Sequence, residues 1–148
     1  MITNVHVYGA IAEESFKKMK ELSSADTTTN ENGQVVKKID WEQKCFKQAM
    51  ISIVFTGIWL EALLHIKIVK EFDETTFKKN DFKPYRTKLE LLGVDDDELF
   101  DMVDNFQRCR KELVHEKAYL DNGEIRIAQA EAESANKIIK SVAKYLLK

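Results

Sequence analysis

Residues that interrupt helices are scarce in this chain of 148 residues, which contains one proline, Pro84, and five glycines. Long stretches of good helix formers lie between them, and apolar residues recur there at intervals of three and four positions. A length near 150 residues is typical of one domain with a core of its own. The sequence therefore predicts a single all-α domain over residues 1–148.

Cysteine and excess charge are also sparse. Cys45 and Cys109 lie in apolar stretches without the close spacing of metal ligands, which predicts reduced, buried thiols, an intracellular protein and no metal site. With 23 basic and 25 acidic residues, the chain lacks the charge of a bulk electrostatic nucleic-acid binder, and a local basic patch is the remaining possibility. The first residues lack the pattern of a secretory signal, so we expect a cytoplasmic protein. We also expect no cofactor.

One stretch, residues 49–66, is apolar almost all round and approaches the length of a membrane span. Its sequence is AMISIVFTGIWLEALLHI. Glu61 and His65 interrupt its second half, where charged groups are costly in lipid. We therefore expect a central bundle helix covered by the other helices or by these and another subunit, and no membrane contact. A membrane-associated protein is the less favoured alternative.

The helix boundaries follow from caps, turns and polar segments. Asp40 is expected to cap the second helix, and Asp95 with Glu98 three residues later is expected to cap the fourth. Residues 24–34 are polar and predict a mobile surface loop, and residues 73–83 predict a polar connection. Asn122-Gly123 predicts a turn whose flanks, KAY and IRI, are able to pair as a hairpin. Helices are expected at 5–23, from 37 or 40 to 72, from 84 to 92 or 93, at 95–118 and at 128–147.

The fourth predicted helix carries the candidate functional residues. At about 100° per residue, Arg110 falls on its apolar face, whereas Arg108 and His115 lie almost opposite in a polar strip. The apolar face comprises Leu99, Met102, Val103, Phe106, Cys109 and Leu113.

Each of these three residues also has a purely structural interpretation. Arg108 is four residues after Asp104, and an exposed pair at that spacing contributes only a few tenths of a kcal/mol. Arg110 on an apolar stripe needs a partner, and Glu61 is the only acidic residue in the apolar stretch of the second helix. His115 alone is compatible with a solvated surface histidine.

The functional interpretation rests on the combination of arginine and histidine. A histidine serves as general acid or base near neutral pH, and an arginine binds a phosphate through a planar set of donors. These are the minimum requirements of metal-free RNA cleavage, in which a 2′-hydroxyl attacks the adjacent phosphorus and the added charge is stabilised electrostatically. Two residues at such spacing are a weak signal by themselves.

Three segments in order resemble the HEPN family, the higher eukaryote and prokaryote nucleotide-binding domains. RKELVH, residues 110–115, resembles the family's R-x4-6-H motif, with Arg110 matching its four-residue form and Arg108 its six-residue form. VFTGIWLEALLH, residues 54–65, is similar to the long family helix, and AEAESANKIIKSVAKYL, residues 130–146, is similar to the closing helix. The resemblance extends from about residue 37 to the C-terminus.

The resemblance implies a four- to five-helix up-and-down bundle that dimerises, with two Arg/His motifs meeting across a composite cleft. It also implies a metal-independent endoribonuclease, of the kind found as toxins with a cognate antitoxin or as effectors of defence against phage. His115 corresponds to the acid/base, Arg110 to the phosphate-binding residue, and Glu61 to a polar residue that orients them.

Two features leave alternatives open. Lys111 follows Arg110 where catalytic members most often have a small polar residue, and a lysine there fits either added phosphate affinity or a member that binds RNA without cutting it. Arg110 and His115 lie about 140° apart on a straight helix, which keeps Arg108 as an alternative partner of His115. The competing hypothesis is a non-catalytic helical module that binds RNA, a nucleotide or a regulatory partner protein.

Overall fold

The computed structural model describes residues 3–25, 27–37, 42–114 and 124–147. Helices dominate these ranges, which confirms the predicted all-α bundle. The elements in chain order are α1 (Asn4–Ala25), β1 (Thr27–Thr29), β2 (Val35–Lys37), α2 (Lys44–Glu71), α3 (Glu74–Asn80), α4 (Tyr85–Leu91), α5 (Asp97–Val114) and α6 (Glu124–Leu146).

The apolar helix α2 is the centre of the bundle. It packs against α1 and α6 and also contacts α3, α4 and α5. Trp59 is buried where α1 approaches closely, and a Cβ on Gly9 of α1 would lie 3.0 Å from its ring. The hydroxyl of Ser52 donates to the carbonyl of Ala12 at 3.0 Å, so this polar group is satisfied inside the core. The prediction of a central α2 is confirmed.

The predicted apolar face of α5 is also confirmed. Leu99, Val103 and Phe106 are fully buried, and Met102 and Leu113 pack against the core from its edge. Such a face arises because the apolar residues recur at helical spacing. Burying it fixes the rotation of α5 about its axis and hence the direction of its polar residues.

Two segments expected to be irregular contain regular structure. Within the polar segment after α1, β1 and β2 pair antiparallel, with Thr28 opposite Val36. The Asn30 side chain accepts hydrogen bonds from the amides of Asn32 and Gln34, and Gly33 takes a positive φ of 75°. Thr and Val favour extended backbone, so a hairpin forms here without apolar burial. In the second segment, Asp73 accepts a hydrogen bond from the amide of Thr76 and caps the short helix α3.

Several predicted boundaries are wrong. Helix α2 begins at Lys44 rather than near residue 37 or 40, after Gln43 in left-handed conformation; Asp40 lies outside the described residues. Helix α6 begins at Glu124, so IRI is helical and does not form a hairpin strand; KAY and Asn122-Gly123 lie outside the described residues. The cap of α5 is Asp96 rather than Asp95, since the Asp96 carboxylate accepts from the Leu99 amide at 3.0 Å.

Other predictions fare better at the ends of elements. Helix α4 starts directly after Pro84, and Gly93 ends it with a φ of 78°, close to the predicted bounds. The described part of α5 ends at Val114, so its predicted extension to residue 118 stays a prediction. Cys45 is buried as expected, whereas Cys109 is only partly buried, and desolvation raises the pKa of its thiol.

Helix α2 also satisfies the length and hydropathy criteria of a membrane span. Among the described residues it is the one helix that does so, and half of its most apolar window is buried inside the bundle. The core helix of a globular bundle meets the same criteria.

Candidate functional site

Arg110 lies where three helices meet, and its guanidinium is fixed by two residues from the other two. Its Nη1 donates to Glu61 Oε1 of α2 at 3.1 Å and to the Tyr85 hydroxyl of α4 at 2.8 Å. The Tyr85 hydroxyl in turn donates to the same Glu61 oxygen at 2.8 Å. The Arg110 side chain is 25% exposed and that of Glu61 55%. The predicted pairing of these two residues across helices is confirmed.

Gly57 of α2 provides the space that the guanidinium occupies. A Cβ at this position would lie 2.6 Å from Cζ and 2.7 Å from Cδ of Arg110. Such distances are far below van der Waals contact, so any larger residue must displace the arginine. Nε of Arg110 is buried above this glycine, and contacts among the described residues give it no hydrogen-bond acceptor.

Tyr85 is held at both ends. Its ring is buried beside Phe106 of α5, and its backbone amide donates to the Gln107 side chain at 3.2 Å. Burial is the largest influence on the Tyr85 phenol and raises its pKa above the ordinary value. The positive charge of Arg110 is the second-largest influence and lowers the pKa. The hydroxyl therefore stays protonated near neutral pH and acts as a fixed donor and acceptor between Glu61 and Arg110.

A groove of about 360 Å³ opens beside the cluster formed by Arg110, Glu61 and Tyr85. Four of its side chains are cationic and two are anionic, and one is an exposed aromatic ring. Cationic groups around an open groove suit a phosphate-bearing ligand. The lining residues, called the Arg110 groove below, are Glu61, Asp81, Phe82, Lys83, Tyr85, Lys88, Gln107, Arg110 and Lys111.

Lys88 is the most enclosed cation of the groove, with 4% of its surface exposed. Its ammonium donates to the backbone carbonyl of Asp81 at 2.7 Å and lies 5.9 Å from the centre of the Phe77 ring. Desolvation lowers the pKa of this ammonium, and the nearby carboxylates of Glu61 and Asp81 oppose that effect. Lys88 therefore fixes the turn after α3 as well as adding charge to the groove.

Arg108 lies away from this groove. Its Nη2 donates to the Asn105 side chain at 2.6 Å, and the predicted partner Asp104 instead contacts Arg86 of α4 at 3.5 Å. Pairing with Asp104 was therefore the wrong structural interpretation, because Arg86 from a neighbouring helix reaches that carboxylate. Of the two arginines, only Arg110 lines the groove.

Two predicted site residues remain, Lys111 and His115, and only Lys111 lies within the described residues. Lys111 lines the Arg110 groove next to Arg110, so the residue that departs from the family pattern adds a cation to it. His115 lies outside the described residues, and its convergence with Arg110 stays a prediction. In the described ranges no cluster of three or more His, Cys, Asp or Glu side chains is arranged to hold a metal ion.

Sequence reasoning missed Gly57, Tyr85 and the groove residues from the segment between α2 and α4. A usable signal was present, because residues 67–88 contain seven basic, four acidic and four aromatic residues. Subtracting them from the totals of 23 and 25 leaves 16 basic and 21 acidic residues, a net −5, in the rest of the chain. The segment itself is net +3, and basic residues interleaved with aromatics are typical of RNA-binding surfaces.

Searches with protein-family models, against curated proteins and against solved structures each found no match to this chain.

Proposed function

We propose that this chain is a HEPN-like, metal-independent endoribonuclease that binds the RNA backbone in the Arg110 groove. The observation that carries the proposal is the position of Arg110, held by Glu61 and Tyr85 over Gly57 at the edge of a cationic groove. A prepositioned guanidinium stabilises a phosphorane without reorganising during the reaction. Glu61 neutralises part of its charge, while Lys83 and Lys111 restore a net attraction for phosphate.

His115 supplies the acid/base chemistry in this proposal. It follows Val114, the last residue of the described part of α5, and lies five residues after Arg110 in the sequence. The imidazole takes the proton from a 2′-hydroxyl, the 2′-oxygen bonds to phosphorus, and the bond from phosphorus to the 5′-oxygen breaks. The leaving oxygen takes up a proton from an imidazolium or water, giving a 2′,3′-cyclic phosphate and a 5′-hydroxyl.

A homodimer would bring two such sites together. The outward stripe of α2 is apolar, and Glu61 lies at its edge beside the groove. Ile51 and Ile66 on this stripe are 37% and 36% exposed. A second copy covering the stripe would adjoin both Arg110 grooves, as a composite cleft requires. We place the protein in the cytoplasm as a toxin or phage-defence effector, controlled by an antitoxin or regulatory protein.

The second candidate is a non-catalytic helical module that binds RNA, a nucleotide or a partner protein. It is favoured by Lys111 in the place of a small polar residue and by the Arg110–Glu61–Tyr85 cluster, which ties three helices together whether or not a ligand binds. In this case the groove binds phosphate but His115 contributes no acid/base step.

Cleavage in EDTA separates the two candidates. The wild-type protein is expected to cut single-stranded RNA and leave 2′,3′-cyclic phosphate ends, and His115→Ala is expected to cut at least about 100-fold more slowly, since a general acid/base contributes roughly that factor or more. His6→Ala is the matched control, because His6 is exposed on α1 and no residue of α1 lines the groove. Full activity of His115→Ala would remove the catalytic assignment, and RNA binding without cleavage by the wild type would favour the non-catalytic module.

A further inference from the structure

Phe82 is a fully exposed aromatic ring at the Arg110 groove. It is 99% exposed, the highest value among the large apolar residues of the described ranges. A phenylalanine in water forgoes the burial that its ring would gain in a core. Single exposed apolar residues are common on protein surfaces, so exposure alone indicates no ligand. Its position in the groove lining is the observation that needs explaining.

The turn that carries Phe82 is fixed on both sides. The amide of Lys83 donates to the carbonyl of Asn80 at 3.0 Å, and the buried ammonium of Lys88 donates to the carbonyl of Asp81 at 2.7 Å. Pro84 follows and restricts the backbone where α4 begins. The Phe82 backbone is therefore ordered before any ligand binds, which reduces the entropy lost on binding.

The cations and this ring line the same groove, and a nucleic-acid strand carries phosphates that alternate with bases. Lys83 is adjacent to Phe82 in the chain, and Arg110 and Lys111 line the same groove from α5. A cationic groove bordered by an aromatic ring is the arrangement with which proteins hold single strands, because every base has a face that stacks. Bases inside a duplex are already stacked on their neighbours and are not available to such a ring.

We propose that Phe82 stacks an unpaired base of an RNA strand whose phosphate lies on Arg110, so that the substrate class of this groove is single-stranded RNA. This proposal rests on the proposed function for RNA binding but not for cleavage. Phe82 is thereby a specificity-determining residue that selects single strands over duplexes. Its ring offers no hydrogen bonds to base edges, so the selection is for an unpaired base rather than for a particular sequence.

The test is equilibrium binding of a labelled ten-nucleotide RNA, in EDTA and at fixed salt, by the full chain. Phe82→Ala is expected to weaken single-strand binding about fivefold or more, as the removal of one aromatic stacking partner does. Binding of the same sequence as a duplex should change less than about twofold, because the charge of the groove is unaltered. Phe72→Ala is the matched control, since Phe72 is 47% exposed but does not line the Arg110 groove.

A second measurement detects stacking directly and does not depend on loss of binding. Phe82→Trp is expected to bind single strands as well as the wild type and to show tryptophan quenching on binding, after subtraction of the wild-type signal. An oligomer of the same length with abasic sites throughout should bind without this quenching.

The outcomes distinguish this proposal from the one on which it rests. If the wild type and Phe82→Ala bind single strands equally while Arg110→Ala binds weakly, the proposal that Phe82 stacks a base is overturned. The proposal that the Arg110 groove binds RNA is then retained. If the wild type binds no RNA, both proposals are overturned. If Phe82→Ala weakens single-strand and duplex binding to the same extent, or if Phe82→Trp is not quenched, the selection of single strands by stacking is overturned.

Discussion

At the scale of single residues, Arg110 owes its position to side chains that lie far from it in the chain. Helical spacing places it on the apolar face of α5, and the absence of any other acidic residue in the apolar stretch identifies Glu61 as its partner. Both inferences are possible from sequence because they depend on one helix at a time. Tyr85 was not predictable in this way, since nothing in the short α4 sequence indicates that its hydroxyl reaches between two other helices.

Gly57→Ala should weaken RNA binding in the Arg110 groove while leaving the stability of the fold nearly unchanged. The new Cβ displaces the Arg110 guanidinium, which is expected to reduce RNA binding at least tenfold. The free energy of unfolding should change by less than about 1 kcal/mol, because the gain in helix propensity offsets the loss of a partly exposed ion pair. RNA binding by fluorescence anisotropy and urea unfolding measure the two effects.

Gln48→Ala, a neutral change earlier in α2, is the control for the Gly57 substitution and should leave both quantities unchanged. Undiminished RNA binding by Gly57→Ala would show that the position of Arg110 over this glycine is unimportant for the ligand.

At the scale of secondary structure, periodicity predicted the long helices and failed on the short elements. α5 and α6 each bury one face, so their apolar spacing reveals them, whereas α2 is revealed by its long and nearly continuous apolar sequence. α3 buries no residue and depends on the cap supplied by Asp73, and the β1–β2 hairpin depends on turn hydrogen bonds of Asn30. Elements stabilised by local polar contacts leave no apolar pattern from which to predict them.

The cap of α5 provides a test at this scale. Asp96→Ala should lower the melting temperature by several degrees, because the Leu99 amide loses its acceptor and the Tyr145 hydroxyl of α6 loses its partner at 2.9 Å. The amide of Leu99, and after it the Tyr145 hydroxyl, lowers the pKa of Asp96 below its ordinary 3.8. The contribution is therefore complete above pH 3.8 and is lost as the pH falls through the lower pKa of the folded state.

Thermal unfolding of wild type and Asp96→Ala between pH 2 and pH 7 measures this difference. Asp95→Ala, the cap expected from sequence, is the matched control and should have a smaller effect at every pH. Equal effects of the two substitutions would contradict the assignment of Asp96 as the cap.

At the scale of the whole molecule, the proposed dimer follows from the apolar stripe of α2. We expect the wild type to sediment as a dimer at micromolar concentration, and Ile51→Asp or Ile66→Asp to sediment as a monomer, because a buried unpaired carboxylate is costly at an interface. Val35→Asp is the control, since Val35 in β2 is 73% exposed and lies on the hairpin. A monomeric wild type, or a dimer that survives both substitutions, would contradict this arrangement.

The candidate site could be predicted only in part from the sequence, because it is assembled from several elements. The sequence identified α5 and Glu61, but the contribution of residues 81–85 becomes evident only when α4 is placed beside α5. The basic and aromatic composition of residues 67–88 is typical of RNA-binding surfaces, but it does not show which arginine the segment adjoins. The structure joins that segment to Arg110 and leaves Arg108 outside the groove.

The central claim, that Arg110 and not Arg108 receives the RNA phosphate, is tested most directly by comparing the two alanine variants. Single-stranded RNA binding in EDTA at about 0.1 M salt is measured for wild type, Arg110→Ala and Arg108→Ala, with folding checked by circular dichroism. Arg110→Ala is expected to raise Kd at least about tenfold, as the loss of charge-assisted hydrogen bonds to phosphate does, and Arg108→Ala less than about threefold. Equal losses, or a larger loss for Arg108→Ala, would contradict the account.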